Sequence, residues 1–401
     1  MKLVQINVSD YGSTGNIAMS IQQASLAAGH DALLFCGRKT KDYENCEKTG
    51  SPLDTYTHAA MARLGKNGHG SKQATKKLVG RLKEINPDVI LLHNIHGYYI
   101  NLDILFDYLN NCSAKIFWTL HDCWPFTGGC AYFSKTDCKK YQSQCKNCKT
   151  CKNEYPKTLI DTSNKEYNHK KALFCHRNDI TFISPSKWLA ELARGSFIGN
   201  NPIHIINNGI DTRKFIPTDA IETENVKNKY GLNNGKKIIL GVASIWDGRK
   251  QWNLFLELAK KLPQYEFVTV GAGIDSSSAL CDNLTVIPRT ENLEDMVGIY
   301  SAADIFINAS LEDNFPLVVP EALACGTPVI SSSLCGSPEA VSNEVGIIVN
   351  PQNHEEIIDA IGILIDKKST TDIGLDCRKK AVALYDCSVM TDKYLKLLFA
   401  D

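Results

Sequence analysis

Short apolar runs of strand length recur along this chain, and stretches of helical character separate them. That alternation restricts the fold more than any other feature. Residues 2–8 (KLVQINV), 31–35, 87–93 (PDVILLH), 115–120 and 181–184 predict one set of strands. Residues 237–242, 266–270, 284–287, 305–308 and 328–331 predict a second. Strands that alternate with helices pair in parallel, because each crossover helix returns the chain to the same end of the sheet. The fold class is therefore α/β. A chain of 401 residues is long enough for more than one core. The segment 201–217 (NPIHIINNGIDTRKFIP) separates the two sets. It divides the chain into domains at 1–203 and 204–384, with a last helix over about 391–399 inside a tail of 385–401.

Charge excludes one function class. Lys plus Arg equals Asp plus Glu at 44 each, so no nucleic-acid partner is expected. The opening MKLVQINVSD reads as a buried strand and not as an export signal. No apolar run approaches the roughly 18 residues that a membrane span needs. Fifteen cysteines are many. Cys36, Cys112, Cys175, Cys325 and Cys377 stand alone in apolar or helical text and read as small core residues. Scattered thiols without an export signal argue for a reducing cytosol.

Chemistry concentrates at predicted strand ends. Residues 310–328 (SLEDNFPLVVPEALACGTP) carry Asp313 before a helix and Glu321 about one turn inside it, so both can face one cleft. The first-turn amides near Asn314, Phe315, Pro316 and Leu317 favour a diphosphate. Gly12-Ser13-Thr14-Gly15-Asn16 follows the first strand and opens a helix, another place for a phosphate to approach backbone. It lacks the G-x-G-x-x-G spacing of a dinucleotide site. Trp246-Asp247-Gly248-Arg249-Lys250 follows the first strand of the second set, and its adjacent cations suit a pyrophosphate. His121-Asp122 ends a strand, where α/β sheets bind ligands. His93-Asn94-Ile95-His96-Gly97 ends the preceding one.

These motifs resemble those of family 4 retaining glycosyltransferases, which have the GT-B fold of two Rossmann-like domains facing across a cleft, with the C-terminal helix packing back on the first domain. The resemblance covers almost the whole chain, and Asn208, Gly209 and Asp211 match the family's interdomain segment. It implies an enzyme that moves a sugar from a UDP- or GDP-sugar to a glycan or lipid-linked acceptor with retention of configuration. Donor contacts fall on Asp313 and His121. Lys250 and Arg249 meet the leaving diphosphate, Gly15 meets donor and acceptor, and Glu321 binds the ribose. Gly271-Ala272-Gly273 and Pro288-Arg289-Thr290 lie near the nucleobase, Gly336-Ser337-Pro338-Glu339 supports the site, and 93–97 serves the acceptor side. The chain departs from the family in two places. Asp313 stands where Glu is commoner, with Glu312 one residue out of register. Ser244 sits near the usual Arg place, so Arg249 is taken as the replacement. Catalysis is expected to need no cofactor, since cations and helix dipoles replace a metal at the phosphates. A nucleotide-sugar epimerase on a related fold and a non-catalytic scaffold are the alternatives.

Two further segments stand out. An insertion over 123–157 holds Cys123, Cys130, Cys138, Cys145, Cys148 and Cys151. Cys130, Cys138, Cys145 and Cys148 have the residue types of a structural four-thiolate zinc site. Free or disulfide-linked thiols are the equal alternative. Similar insertions occur in a subgroup of these transferases that builds capsule, exopolysaccharide or O-antigen, which implies work at the inner membrane surface. From Arg63 to Lys83 there are seven Lys or Arg and no acid, interleaved with Leu64, Leu78, Val79 and Leu82. This reads as a face toward anionic lipid or as a solvated helix, with the solvated helix slightly preferred.

Overall fold

The computed structural model describes residues 1–40, 43–133, 136–152, 156–274 and 281–400. The chain forms two compact units, Met1–Asn207 with Met390–Asp401, and Asn208–Val389.

The first unit is a seven-stranded sheet. Its strands are β1 (Lys2–Ser9), β2 (Asp31–Arg38), β3 (Cys46–Lys48), β4 (Val89–Leu92), β5 (Lys115–Thr119), β6 (Thr181–Ser184) and β7 (Ile203–Ile205). They lie in the order β3-β2-β1-β4-β5-β6-β7, and every pair is parallel. The crossovers carry α1 (Gly12–Ala27), α2 (Pro52–Arg63), α3 (Lys72–Ile85), α4 (Leu102–Leu109), α5 (Ser163–Phe174) and α6 (Lys187–Arg194). β4 reads Val-Ile-Leu-Leu without alternation because both its faces are covered, and all four side chains are fully buried. α3 buries Leu78 and Leu82 and turns its lysines outward. Of the apolar residues in the basic stretch, only Leu64 is largely exposed.

The second unit contains α7 (Ala220–Tyr230) and a six-stranded parallel sheet. Its strands are β8 (Lys237–Ile245), β9 (Tyr265–Ala272), β10 (Leu284–Ile287), β11 (Ile305–Asn308), β12 (Val329–Ser332) and β13 (Gly346–Val349). Their order is β10-β9-β8-β11-β12-β13. The helices are α8 (Trp252–Lys261), α9 (Leu293–Ala302), α10 (Val318–Ala324), α11 (His354–Thr370) and α12 (Ile373–Tyr385). The last helix, α13 (Cys387–Leu398), joins the first unit from Met390 onward. There Met390, Tyr394 and Leu398 enter the cluster around Leu3, Phe117 and Ile183. The Tyr394 hydroxyl lies 3.0 Å from that of Thr119. Each such buried side chain contributes about 1.5–3 kcal/mol.

The structure adds β3, β7 and β13, which the strand reading does not contain. β7 lies inside the segment taken as a linker, so the first sheet runs past the expected boundary. Cys36, Cys325 and Cys377 are core residues as expected, whereas Cys112 and Cys175 are only partly buried.

Candidate functional site

In each unit the first strand has a neighbour on both sides, and the crossovers leave it in opposite directions. Such a switch point opens a crevice at the carboxyl ends of the strands. In the second unit the switch lies between β8 and β11.

The turn after β8 is built by Asp247, whose Oδ1 accepts from the amides of Arg249 at 2.9 Å and Lys250 at 3.0 Å. Gln251 follows in the left-handed region and donates to the Ala309 carbonyl at 2.6 Å. This geometry sends Lys250 toward the loop after β11. Its ammonium donates to Asp313 Oδ2 at 2.5 Å and to Ser310 Oγ at 3.1 Å. Arg249 donates through Nη1 to the Glu312 carbonyl at 2.9 Å and accepts from the Leu311 amide through its own carbonyl. Gly336 holds the Asp313 carbonyl at 2.9 Å. Lys250 and Asp313 are each 16% exposed, so the pair is largely desolvated and still open to a ligand. Losing one partner there leaves a poorly solvated charge.

The rest of the acidic segment divides by burial. Asn314, Phe315 and Pro316 are buried, and Phe315 packs on Tyr385 with ring centroids 5.7 Å apart. Their side chains shape the loop. Leu317 is partly exposed and leads into α10. Glu321 lies in the first turn of α10 and accepts at Oε2 from the Tyr300 hydroxyl at 2.9 Å. Burial raises its carboxyl to about 7, against the opposing pull of that bond. Tyr300 is fully buried and anchored by Thr327, which donates to its carbonyl at 2.6 Å.

Gly271 is the next-to-last residue of β9 with φ +140°, and a Cβ there would meet the Ala243 carbonyl oxygen at 1.8 Å. Only glycine fits. Arg289 is exposed two residues past β10. A pocket of about 490 Å³ adjoins the β8 turn, lined by Trp246, Asp247, Gly248, Gly273, Ile274 and His354 among others.

The first unit has its switch between β1 and β4. Gly15 lies in the first turn of α1, where a Cβ would come 2.6 Å from the Asp10 backbone carbon. Its small size lets the helix start pack on the preceding loop. No side chain caps α1, and its first turn holds no acid. The loops after β4 and β5 bring His93, His96 and His121 together. His93 is fully buried, with Nδ1 3.0 Å from His121 Nε2 and Nε2 2.9 Å from Gln5 Oε1. Gln5 donates its amide to the Ala18 carbonyl at 3.0 Å, which fixes Oε1 as an acceptor. The tautomers then follow. Burial pushes both imidazoles toward the neutral form, His93 well below its ordinary value and His121 to about 4. His93 must donate from Nε2 to Gln5, so its Nδ1 accepts the Nε2 proton of His121. His121 Nδ1 then carries no proton, and its lone pair can act only as an acceptor. Neighbouring Asp122 accepts from His96 at 2.8 Å and from the Trp124 amide at 2.8 Å. Burial opposes its ionisation, but His96 outweighs that and holds the carboxyl low.

Cys130, Cys138, Cys145 and Cys148 all line one pocket of about 240 Å³. Cys130 donates to Cys148 and draws that thiol below its ordinary value. Cys145 accepts from the Gly128 amide at 3.2 Å. Among the described residues, the one group of three or more His, Cys, Asp or Glu with ligand atoms within 4.8 Å of one another lies elsewhere, at His69, Asp103 and His169. The four thiols are not drawn to that spacing.

Thus Arg249, Lys250 and Asp313 gather at one switch point. Glu321 is set by Tyr300, and His121 by His93. The sequence reading did not single out Gln5, Ser310 or Tyr300. A glutamine inside the apolar run LVQIN is the one such signal the sequence offered.

Residues 15–214 match Glycosyltransferase Family 4 and residues 236–367 match Glycosyl transferases group 1. Escherichia coli K12 WcaC, provisionally named a colanic acid biosynthesis glycosyl transferase, is 26% identical over 90% of this chain and 89% of its own length. The Escherichia coli UDP-Gal:alpha-D-GlcNAc-diphosphoundecaprenol alpha-1,3-galactosyltransferase is 29% identical over 50% of this chain and 54% of its own. Sucrose-phosphate synthase from Thermosynechococcus elongatus shares the fold, with a TM-score of 0.71 at 17% identity over 99% of this chain and 98% of that one. The two matched segments carry all but the first strand of the two parallel sheets, and the chain belongs to the family 4 glycosyltransferases of GT-B fold.

Proposed function

We propose that this chain transfers a hexosyl group from a UDP- or GDP-sugar to a glycan or lipid-linked glycan, with retention, in bacterial surface polysaccharide assembly. The observation that carries the reading is the Lys250–Asp313 pair at the β8–β11 switch point, tied to Arg249 and Ser310. A diphosphate needs cations held in a shielded crevice, and a sugar needs a fixed carboxylate beside them. The relatives, a colanic acid biosynthesis transferase and a diphosphoundecaprenol-linked galactosyltransferase, supply the substrate class.

In the reaction, the bond between the anomeric carbon and the β-phosphate oxygen breaks as negative charge grows on the diphosphate. Lys250 and Arg249 stabilise that charge. The acceptor hydroxyl attacks the anomeric carbon from the face the phosphate leaves, and its proton passes to the departing phosphate oxygen. Asp313 accepts from a sugar hydroxyl beside Lys250, and His121 is the first unit's group for the donor sugar. Glu321 accepts from the ribose. Gly15, Gly271 and Arg289 line phosphate and base through backbone and surface groups. Magnesium is not required, because the side-chain cations do its work.

The acceptor's lipid brings the protein to the cytosolic face of a membrane. No helix among the described residues is long and apolar enough to cross one. The contact surface is instead an exposed apolar set beside basic residues: Leu53, Tyr56, Leu64, Leu159 and Ile160, all more than half exposed. The Leu159 amide bonds the Arg63 carbonyl at 2.8 Å, which joins the two segments. The cysteine pocket takes one structural zinc through Cys130, Cys138, Cys145 and Cys148, drawing the thiols together.

The test incubates the protein with UDP- and GDP-sugars and diphospholipid-linked acceptors, with and without magnesium, and reads the product linkage by NMR. The expected product keeps the donor's anomeric configuration at an unchanged rate without magnesium. An inverted product, or turnover of donor without acceptor, would overturn the reading.

A further inference from the structure

We propose that the first unit holds a divalent transition-metal site of the zinc type, with His69, Asp103 and His169 as ligands and Glu166 as the group that orients His69. The site is separate from the donor crevice and from the cysteine pocket. Three pieces of chain build it. His69 lies in the segment between α2 and α3, Asp103 in the first turn of α4, and Glu166 and His169 in α5. The spacing of Glu166 and His169 is three residues, which puts both on one helix face.

The ligand atoms of His69, Asp103 and His169 all lie within 4.8 Å of one another. Asp103 faces both imidazoles, with Oδ1 2.6 Å from His169 Nε2 and Oδ2 3.4 Å from His69 Nδ1. The two rings stack with centroids 4.8 Å apart. On the other side of His69, Glu166 Oε1 lies 3.4 Å from Nε2. Glu166 is 5% exposed, and apart from each other neither of these buried atoms has a hydrogen-bond partner. A buried carboxylate aimed at the far nitrogen of a histidine is the arrangement that orients metal-bound imidazole. It fixes the proton on Nε2 and turns the Nδ1 lone pair toward Asp103 and His169.

Charge and access agree with this assignment. Two carboxylates balance a doubly charged ion between neutral imidazoles. His69 is 24% exposed, His169 19% and Asp103 54%, so the ion can enter and keep water in a fourth position. Imidazole with carboxylate suits zinc and its neighbours more than calcium or magnesium. The ion would fasten the start of α4 and the segment before α3 to α5, the helix that follows the cysteine insertion.

Cobalt(II) tests the site, because its spectrum separates the two centres. Thiolate ligands give an intense near-ultraviolet charge-transfer band, and nitrogen–oxygen ligands give only weak visible bands. The full chain, stripped with chelator, is titrated with cobalt(II) and then zinc, with thermal melting alongside. One equivalent with nitrogen–oxygen character is expected, and zinc should raise the Tm. Asp103→Ala and His169→Ala should each lose that equivalent or weaken it at least about 100-fold, leaving any thiolate band unchanged. Glu166→Gln should weaken it about 10–100-fold. Asp103 is exposed enough that its variant tests the site even if the others fold poorly. No nitrogen–oxygen uptake by the wild type, or uptake unchanged in Asp103→Ala, would overturn the assignment.

Discussion

The two units share a sheet plan and fill it with opposite chemistry. Both run 3-2-1-4 across the switch point. At that point the second unit places an ammonium against a carboxylate, Lys250 on Asp313. The first unit places neutral imidazoles in a hydrogen-bonded row from Ala18 through Gln5 and His93 to His121. The difference teaches how each serves its ligand. A phosphate site needs fixed charge, which a partly buried ion pair keeps poised. A hydroxyl site needs a fixed lone pair, and burial supplies it by keeping His121 neutral and His93 by choosing its tautomer.

Breaking the charged side should give the largest effect. Lys250→Ala should cost about 10²–10³ in kcat, with circular dichroism unchanged. Asp313→Asn should follow at about 10², read as kcat/KM for the sugar donor, because it removes the charge that partners Lys250 and turns one carboxylate acceptor into an amide donor. On the neutral side, Gln5→Leu strands the His93 Nε2 proton. Stability should fall by about 1–3 kcal/mol in urea melts, and kcat by about tenfold as His121 loses its fixed tautomer. His93→Gln, which can still accept from His121, should recover more activity than His93→Leu.

Glu321 sharpens the comparison through pH. Its carboxyl is raised from 4.5 to about 7 by burial, so the folded state holds its proton more tightly than the unfolded state. That contribution is fully present below pH 4.5 and is lost as pH rises through 7, about 3 kcal/mol in all. Glu321→Gln should flatten that slope in denaturant titrations between pH 4.5 and 7. The smallest effect belongs to the surface. Leu64→Glu with Leu159→Glu should lower binding to anionic vesicles several-fold while leaving turnover of a water-soluble acceptor unchanged.

Much of this was legible in the sequence where burial is complete. β4 reads as an unbroken apolar run because both faces are covered, and β11 is as fully buried with only its last residue, Asn308, polar. β7 and β13 were not legible. Ile203–Ile205 is a three-residue edge strand with two exposed positions, and Gly346–Val349 is a four-residue edge strand that opens on glycine and has one exposed position, so neither has a strong pattern. Within the site, strand ends and residue types drew attention to Lys250, Asp313 and His121. The structure puts Asp313 on Lys250 and buries Glu312 at 1% exposure. Tyr300 and Gln5 could not be read as partners, because hydrogen bonds across 21 and 88 residues leave no local pattern. The metal-like text of the insertion drew the eye to cysteines, while the cluster of ligand atoms found among the described residues joins residues 34 and 66 positions apart (69 to 103 to 169) that no motif connects.

The most direct test of the charged switch point is calorimetric titration of UDP and GDP into the wild type and Lys250→Ala, with and without magnesium. The account predicts that one nucleotide binds the wild type equally well without magnesium, and that Lys250→Ala weakens it about 100-fold. Equal affinity in the two proteins would contradict the assignment of the Lys250–Asp313 pair to the diphosphate.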